Sequence, residues 1–170
     1  FSLNHSLVLR RNVTIAAEAG ARAILNASAS AEAPRRVLLV GGEGTVVRLR
    51  SVDVTGGFTN GRWGGGVRVE GGSTLVLDDC RVRCNAMRAA GDGDAVGGGI
   101  AIMPGGAAVL NGTAVEGNEA ASDRGRAFGG GVVNGGTLTA HGARLVGNAA
   151  RSNAGDAGGG ALNNNGDATL

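Results

Sequence analysis

The stretch GGGVVNGGTLTAHGARLVGN, from Gly129 to Asn148, frames short apolar segments with glycine. Its triple glycine recurs at Gly64–Gly66, Gly97–Gly99 and Gly158–Gly160, with spacings of 33, 32 and 29 residues. A period of about thirty residues indicates units that stack and bury their apolar faces against their neighbours.

Glycine density decides which kind of unit repeats. The chain contains 34 glycines in 170 residues, and each interior glycine costs a helix about 1 kcal/mol. The apolar residues alternate instead, as in Val67 with Val69 and Leu75 with Leu77, which is typical of strands. The sequence therefore predicts an all-β fold, a right-handed parallel β-helix with three short strands per coil and about five to six coils. Glycine serves its corners because it adopts positive φ without a steric cost.

Alignment of the repeats predicts which residues share the interior. Residues that are nearly all small or apolar form four columns: Val47, Leu75, Ala108 and Leu138; Leu49, Leu77, Leu110 and Ala140; Val52, Cys80, Thr113 and Ala143; and Val54, Val82, Val115 and Leu145. The residues between them, such as Arg48, Asp53 and Glu116, are expected to point outward, because successive side chains of a strand alternate between its faces.

The domain organisation follows from the same pattern. We expect one β-helix domain over residues 1–170, with N-terminal coils in 1–44 and glycine-rich repeats in 45–170. Both ends read as cut, which predicts a fragment of a longer chain or assembly. Unpaired strands at an open end also invite pairing with another chain.

One asparagine follows each of the first three triple glycines at a matching position. Asn85, Asn118 and Asn148 are expected to stack at one corner and to hydrogen-bond the backbone of adjacent coils, since asparagine amides serve turns in this way. We interpret this row as structural.

The segments after these asparagines are the most variable part of each repeat. We expect loops that form one ridge and bind partners, because loops on a rigid scaffold often carry binding. The candidate contact residues are Arg62, Trp63, Arg88, Asp92, Asp94, Asp123, Arg124, Arg126, Arg151 and Asp156. A merely solvated ridge of mixed charges is the alternative.

Asp78 and Asp79 are the adjacent acid pair of the chain. The register aligns Asp78 with Arg50, Asn111 and His141 on an outward column, which makes Asp78, Asp79 and His141 the candidate catalytic residues. Glycoside hydrolysis needs two carboxylates at a defined separation, and no second suitably placed acid is visible. We predict that the chain is not an enzyme, with a polysaccharide lyase or glycoside hydrolase as the alternative.

Four N-glycosylation sequons begin at Asn4, Asn12, Asn26 and Asn111, and they would be acceptors in a eukaryotic secreted protein. Cys80 falls in an inward position and Cys84 at a corner. The four-residue spacing of the two cysteines favours free thiols, with a disulfide bond between them as the alternative.

Several classes of function are disfavoured by composition. The net charge of +2 gives no basis for nucleic-acid binding, and no apolar run approaches the length of a membrane span. Two histidines without a cysteine cluster predict no zinc site. The GDGD segment lacks the nine-residue repeat of calcium β-rolls. We expect neither metal nor cofactor.

The repeat resembles a known family. The motif GGGI…GG…L…N, with GNEA and GNAA closing two coils, resembles the repeats of chlamydial polymorphic outer-membrane proteins and related pectin-lyase-like, right-handed β-helix surface proteins. The resemblance implies a structural or adhesive module, extracellular or at the cell surface, whose partners are other protein chains or surface glycans.

Overall fold

The computed structural model describes residues 1–61 and 63–170, and Arg62 lies outside the described residues. The regular elements of this part of the chain are all β-strands. They pair in parallel between successive coils and form five sheets, so that the chain is a β-solenoid of about five turns. The predicted parallel β-helix architecture is confirmed.

Three sheets enclose the main core. Sheet I contains β1 (Leu7–Leu9), β4 (Leu38–Val40), β8 (Val67–Val69), β13 (Ile100–Ile102), β18 (Val132–Asn134) and β23 (Leu162–Asn164). Sheet II contains β2 (Val13–Ala16), β5 (Val46–Arg50), β9 (Thr74–Asp78), β14 (Ala107–Asn111), β19 (Thr137–His141) and β24 (Asp167–Thr169). Sheet III contains β3 (Ala23–Asn26), β6 (Val52–Thr55), β10 (Arg81–Arg83), β15 (Ala114–Glu116) and β20 (Arg144–Val146).

Two further sheets occupy the segments that the sequence assigned to loops. Sheet IV contains β7 (Phe58–Asn60), β11 (Ala86–Ala89), β16 (Glu119–Ser122) and β21 (Ala149–Ser152). Sheet V contains β12 (Ala95–Val96), β17 (Ala127–Phe128) and β22 (Ala157–Gly158). The three coils that carry strands of both sheets therefore have five strands each, two more than the three that the sequence predicted.

The register of sheet II confirms the predicted interior. Leu75 pairs with Val47 on one side and with Ala108 on the other, and Ala108 pairs in turn with Leu138. All four side chains are essentially inaccessible to solvent. Like residues therefore lie above one another, and each coil shares its apolar core with the next.

The last triple glycine aligns differently from the sequence prediction. Leu162 pairs with Val132, and the Gly131 N–H donates to the carbonyl oxygen of Gly160. Gly159, at φ 61°, therefore matches Gly129, at φ 59°, and the last period is 30 residues rather than 29. The glycine that turns the corner is fixed by its positive φ, which sequence matching of identical glycines does not reveal.

Candidate functional site

Sheets IV and V form a flat projection from the solenoid body, here called the fin and comprising the strands of these two sheets with the turns between them. The fin has a small core of its own, built from Met87, Ala89, Ala95, Ala120 and Ala127. Because alanine reaches only a short way from the backbone, two sheets faced with alanine can pack closely. The ridge predicted from the sequence is thus an ordered two-layer element.

Glycine makes the neck of the fin possible. A Cβ added to Gly98 would lie 2.3 Å from the carbonyl oxygen of Glu119, where the chain leaves the body to enter the fin. At Gly130 the corresponding contact is with the carbonyl oxygen of Ala149. The middle glycine of the triplet therefore allows two backbone segments to approach across the neck.

The tip of the fin carries ion pairs between successive coils. Arg124 Nε lies 2.8 Å from Asp92 Oδ1, and Arg126 Nη2 lies 2.8 Å from Asp94 Oδ2. The hydrogen bond from the Arg126 side chain lowers the pKa of Asp94 below its usual value. Exposed pairs of this kind contribute little stability, and their effect here is to join one turn of the tip to the next.

The outer face of sheet IV is charged. Arg88, Ala121 and Arg151 form one column through three coils, and Glu119 lies between the two arginines. Its carboxylate is 3.0 Å from Arg88 Nη2 and 3.5 Å from Arg151 Nε. A shallow depression of about 560 Å³ follows this face and also includes the exposed Asp123.

The outer face of sheet V is apolar and borders a groove of about 400 Å³ against sheet I. Val96 pairs with Phe128. The Gly97 N–H donates to the Phe128 carbonyl oxygen, and the Gly64 N–H donates in the same way to the Val96 carbonyl oxygen. Trp63 therefore aligns with Val96 as Val96 aligns with Phe128, and it lies one coil before Val96 in the same column. Trp63 is 40% exposed. Sequence reasoning named Trp63 as a contact residue but missed Phe128, which no local signal distinguishes.

The three corner asparagines form a ladder. The Asn118 side-chain oxygen accepts hydrogen bonds from the backbone N–H and the amide nitrogen of Asn85, both at 3.0 Å. The Asn148 oxygen accepts the equivalent pair from Asn118 at 3.0 and 2.9 Å. Each amide also donates to a carbonyl oxygen of the preceding coil, for example from Asn118 to Val82 at 2.9 Å. Asn85 and Asn118 are buried, so this corner offers little to a ligand.

The structure places Asp78, Asn111 and His141 in one outward column of sheet II. Asp78 lies 3.5 Å from Arg48 and 3.4 Å from Arg50, and it accepts a hydrogen bond from Asn111 at 2.7 Å. Its carboxylate is therefore held among cations and an amide donor.

Asp79 does not join Asp78 in a catalytic pair. It follows the end of β9 at φ 48° and lies 3.0 Å from Arg22. The side chain of Ser51 also donates to its carboxylate. Both acids of the pair are thus engaged by other side chains, and His141 is exposed two coils away from Asp78.

The expectation that Asp53 faces solvent is wrong. Only 3% of its side chain is exposed, because Arg22 and Arg83 cover it at 3.4 and 3.1 Å. Arg22 also reaches the Asp79 carboxylate. A chain of alternating charges therefore crosses sheet III and satisfies a buried carboxylate, which alternation along a single strand could not indicate.

The sequons differ in their surroundings. Asn4 and Asn12 are exposed, and the Asn12 side-chain oxygen accepts from the Val46 N–H at 2.8 Å. Asn26 and Asn111 are half-buried strand residues. The Asn26 oxygen accepts from a backbone N–H two residues on, while the Asn111 amide donates to Asp78.

Both cysteines are free thiols. Cys80 is buried, and desolvation raises its pKa to about 11. Cys84 is exposed at φ 52°, in the corner position where the next coil has Gly117 at φ 60°.

The described residues contain no group of three or more His, Cys, Asp or Glu side chains placed to hold a metal ion. They also contain no helix with the length and apolar character needed to cross a bilayer.

Comparison with known proteins adds no family assignment. No protein-family model, curated protein or solved structure matched the chain.

Proposed function

We propose that the chain is a non-catalytic structural and adhesive module of a secreted or cell-surface protein, which binds other protein chains or glycans through its fin. The observation that carries the proposal is the fin itself, a projection with its own apolar core and inter-coil ion pairs. A coil closes without such an element, as the first coil does by passing from β3 to β4 without strands of sheets IV and V. An ordered projection that presents a charged face and an apolar groove is suited to contact with a partner.

The proposal of a cell-surface location draws on the resemblance of the GGGI…GG…L…N repeat to polymorphic outer-membrane proteins and pectin-lyase-like surface proteins. The solenoid supports it in one respect. A stack of coils about 4.8 Å apart is a stiff, extensible spacer, which is the mechanical requirement of a surface stalk.

The non-catalytic part of the proposal draws on Asp78, the last residue of β9, and on Asp79, which follows it. Asp78 is engaged by Arg48, Arg50 and Asn111, and Asp79 by Arg22. A retaining or inverting glycosidase needs two carboxyl groups facing one scissile bond, and these two acids serve different ion pairs.

Adhesion of beads coated with the chain tests the contact surface. The test variant is Arg88→Gln with Arg151→Gln on the fin. The matched control is Arg81→Gln with Arg144→Gln on sheet III, where two exposed arginines flank Ala114 as the fin arginines flank Ala121.

We expect the fin variant to lose adhesion to intact cells and cell-wall material, and the control to keep it. Equal loss in both variants would remove the fin as the contact surface. Release of oligosaccharides from polysaccharide by the wild-type chain, abolished in Asp78→Asn, would overturn the non-catalytic assignment.

A further inference from the structure

We propose that the groove between sheets I and V binds a linear neutral glycan whose chain lies along the solenoid axis. This inference deepens the proposed function and rests on it, since it names the ligand of one face of the fin. Four features of the groove lead to it: an aromatic column, an apolar floor, a charge-balanced polar rim and a backbone that is already paired.

The aromatic column has the spacing of a sugar chain. Trp63 and Phe128 lie in one column on the same outer face, two coils apart, which is about 10 Å along the axis at normal strand spacing. That distance is close to the length of one disaccharide unit in an extended β-1,4-linked chain. Sugar rings at positions i and i+2 can therefore contact the two aromatic rings, and the C–H face of a sugar offers the apolar surface that such rings prefer.

The floor between the aromatic rings is apolar and closed. Val96 lies between Trp63 and Phe128 in the column, and Val133 faces it from sheet I. Their exposed fractions are 7% and 5%. A groove of this kind excludes water beneath a bound ring, which strengthens the polar contacts at its margin.

The rim carries planar polar groups without net charge. Asp94 and Arg126 line the groove as an ion pair, and the Arg126 guanidinium also lies over one face of the Phe128 ring, 5.6 Å from its centre. Asn163 and Asn165 line the opposite margin. Carboxylate, guanidinium and amide groups all hydrogen-bond hydroxyls. Because the two charges cancel, the rim favours a neutral glycan over a polyanion.

The backbone of the groove argues against an added peptide strand. Sheets I and V pair from coil to coil, as in the bonds from Ala95 N–H to the Arg126 carbonyl and from Gly97 N–H to the Phe128 carbonyl. β-Strand addition needs an unpaired sheet edge, whereas the groove runs across paired strands. Recognition must therefore come from side chains, which is how sugars are bound.

Fluorescence of Trp63 measures binding directly, because it is the single tryptophan of a chain that has no tyrosine. The probes are cellohexaose and mannohexaose as neutral hexasaccharides, cellobiose as a short analogue and hexagalacturonate as an acidic one. We expect at least one neutral hexasaccharide to shift the emission to the blue in a saturable manner. We expect cellobiose and hexagalacturonate to bind at least 10-fold more weakly, because cellobiose cannot reach both aromatic rings and the charge-balanced rim gives a polyanion no counter-charge.

Phe128→Leu keeps an apolar side chain and tests the second aromatic contact. We expect it to weaken hexasaccharide binding by about 3- to 10-fold, while Ile24→Ala, an exposed apolar residue on sheet III, leaves binding unchanged. Unaltered Trp63 emission in the free variants shows that the groove is intact.

The inference is overturned if neither neutral hexasaccharide gives a saturable shift, if hexagalacturonate binds best, or if Phe128→Leu binds like the wild type. These outcomes are separate from those of the bead assay. Loss of adhesion in the Arg88 and Arg151 variant would still support the fin as a contact surface, with a partner other than a neutral glycan.

Discussion

Asn118→Ala removes the central rung of the asparagine ladder. The Asn118 side chain accepts two hydrogen bonds from Asn85 and donates to the carbonyl oxygen of Val82 and to the side-chain oxygen of Asn148. Only 1% of Asn118 is exposed. Alanine leaves the four partner atoms in place and supplies none of the bonds.

The expected cost follows from these four bonds. Each hydrogen bond contributes about 1 kcal/mol net, and a partner left buried without a bond costs about 1–3 kcal/mol. The Asn85 N–H and the Val82 carbonyl lie where solvent reaches them poorly, while the half-buried Asn148 can recover water. We therefore expect the free energy of unfolding to fall by about 3–5 kcal/mol, a large part of the ~5–15 kcal/mol of a typical domain.

Urea denaturation followed by circular dichroism measures this loss, with Asn153→Ala as the control. Asn153 is an exposed residue of the fin, and its replacement is expected to change stability by less than about 0.5 kcal/mol. Because solenoid repeats contact only their neighbours, unfolding need not be two-state. Hydrogen exchange at the Asn85 amide is the local measure, and we expect it to accelerate in Asn118→Ala. A loss below about 1 kcal/mol with unchanged exchange would refute the assignment of the ladder as a major source of stability.

Three further predictions concern the corners, the thiols and the fin core. A Cβ added to Gly98 would lie 2.3 Å from a carbonyl oxygen, whereas a Cβ added to Gly112, at φ 53°, would meet no atom within 4 Å apart from its chain neighbours. Gly98→Ala is expected to lower the free energy of unfolding by about 3 kcal/mol and Gly112→Ala by about 1 kcal/mol, both measured by urea denaturation. A larger loss in Gly112→Ala would contradict the close approach of the backbone at the neck. At pH 8, iodoacetamide is expected to label Cys84 and spare Cys80, because burial raises the pKa of Cys80 to about 11. Peptide mass spectrometry measures labelling at each cysteine, and equal labelling would contradict the burial of Cys80. Met87→Ala is expected to destabilise the fin by about 2–4 kcal/mol. Hydrogen exchange is expected to accelerate in residues 86–96 and 119–128 more than in sheets I to III, and equal acceleration throughout would mean that the fin has no separate core.

The sequence predicted the body of the solenoid because its signals are local and repeated. Alternation places Leu75 and Leu77 on one face, and the thirty-residue period superimposes them on Ala108 and Leu110 in the next coil. Two periodicities, of two residues along a strand and of one coil along the chain, specify which side chains share the core.

The fin escaped the same reasoning because its interior is built from small residues. In the strands AMRA and EAAS the buried residues are Met87, Ala89, Ala120 and Ser122, which are mostly small. Alanine buries too little area to indicate a core position from the sequence. Their strand character comes from pairing with the coils on either side, for example between Met87 and Ala120. Only the stacked structure provides these pairs.

Composition, strand periodicity and repeat length, all local properties, were sufficient to determine an all-β stack of coils, its inward columns and its asparagine corner. The tertiary structure decided which residues meet from distant coils: Arg22 over the buried Asp53, Trp63 in line with Phe128, and Gly159 rather than Gly158 at the last corner. The physical reason is that backbone geometry and coil stacking fix these contacts, and neither is encoded in the identity of a residue or of its immediate neighbours.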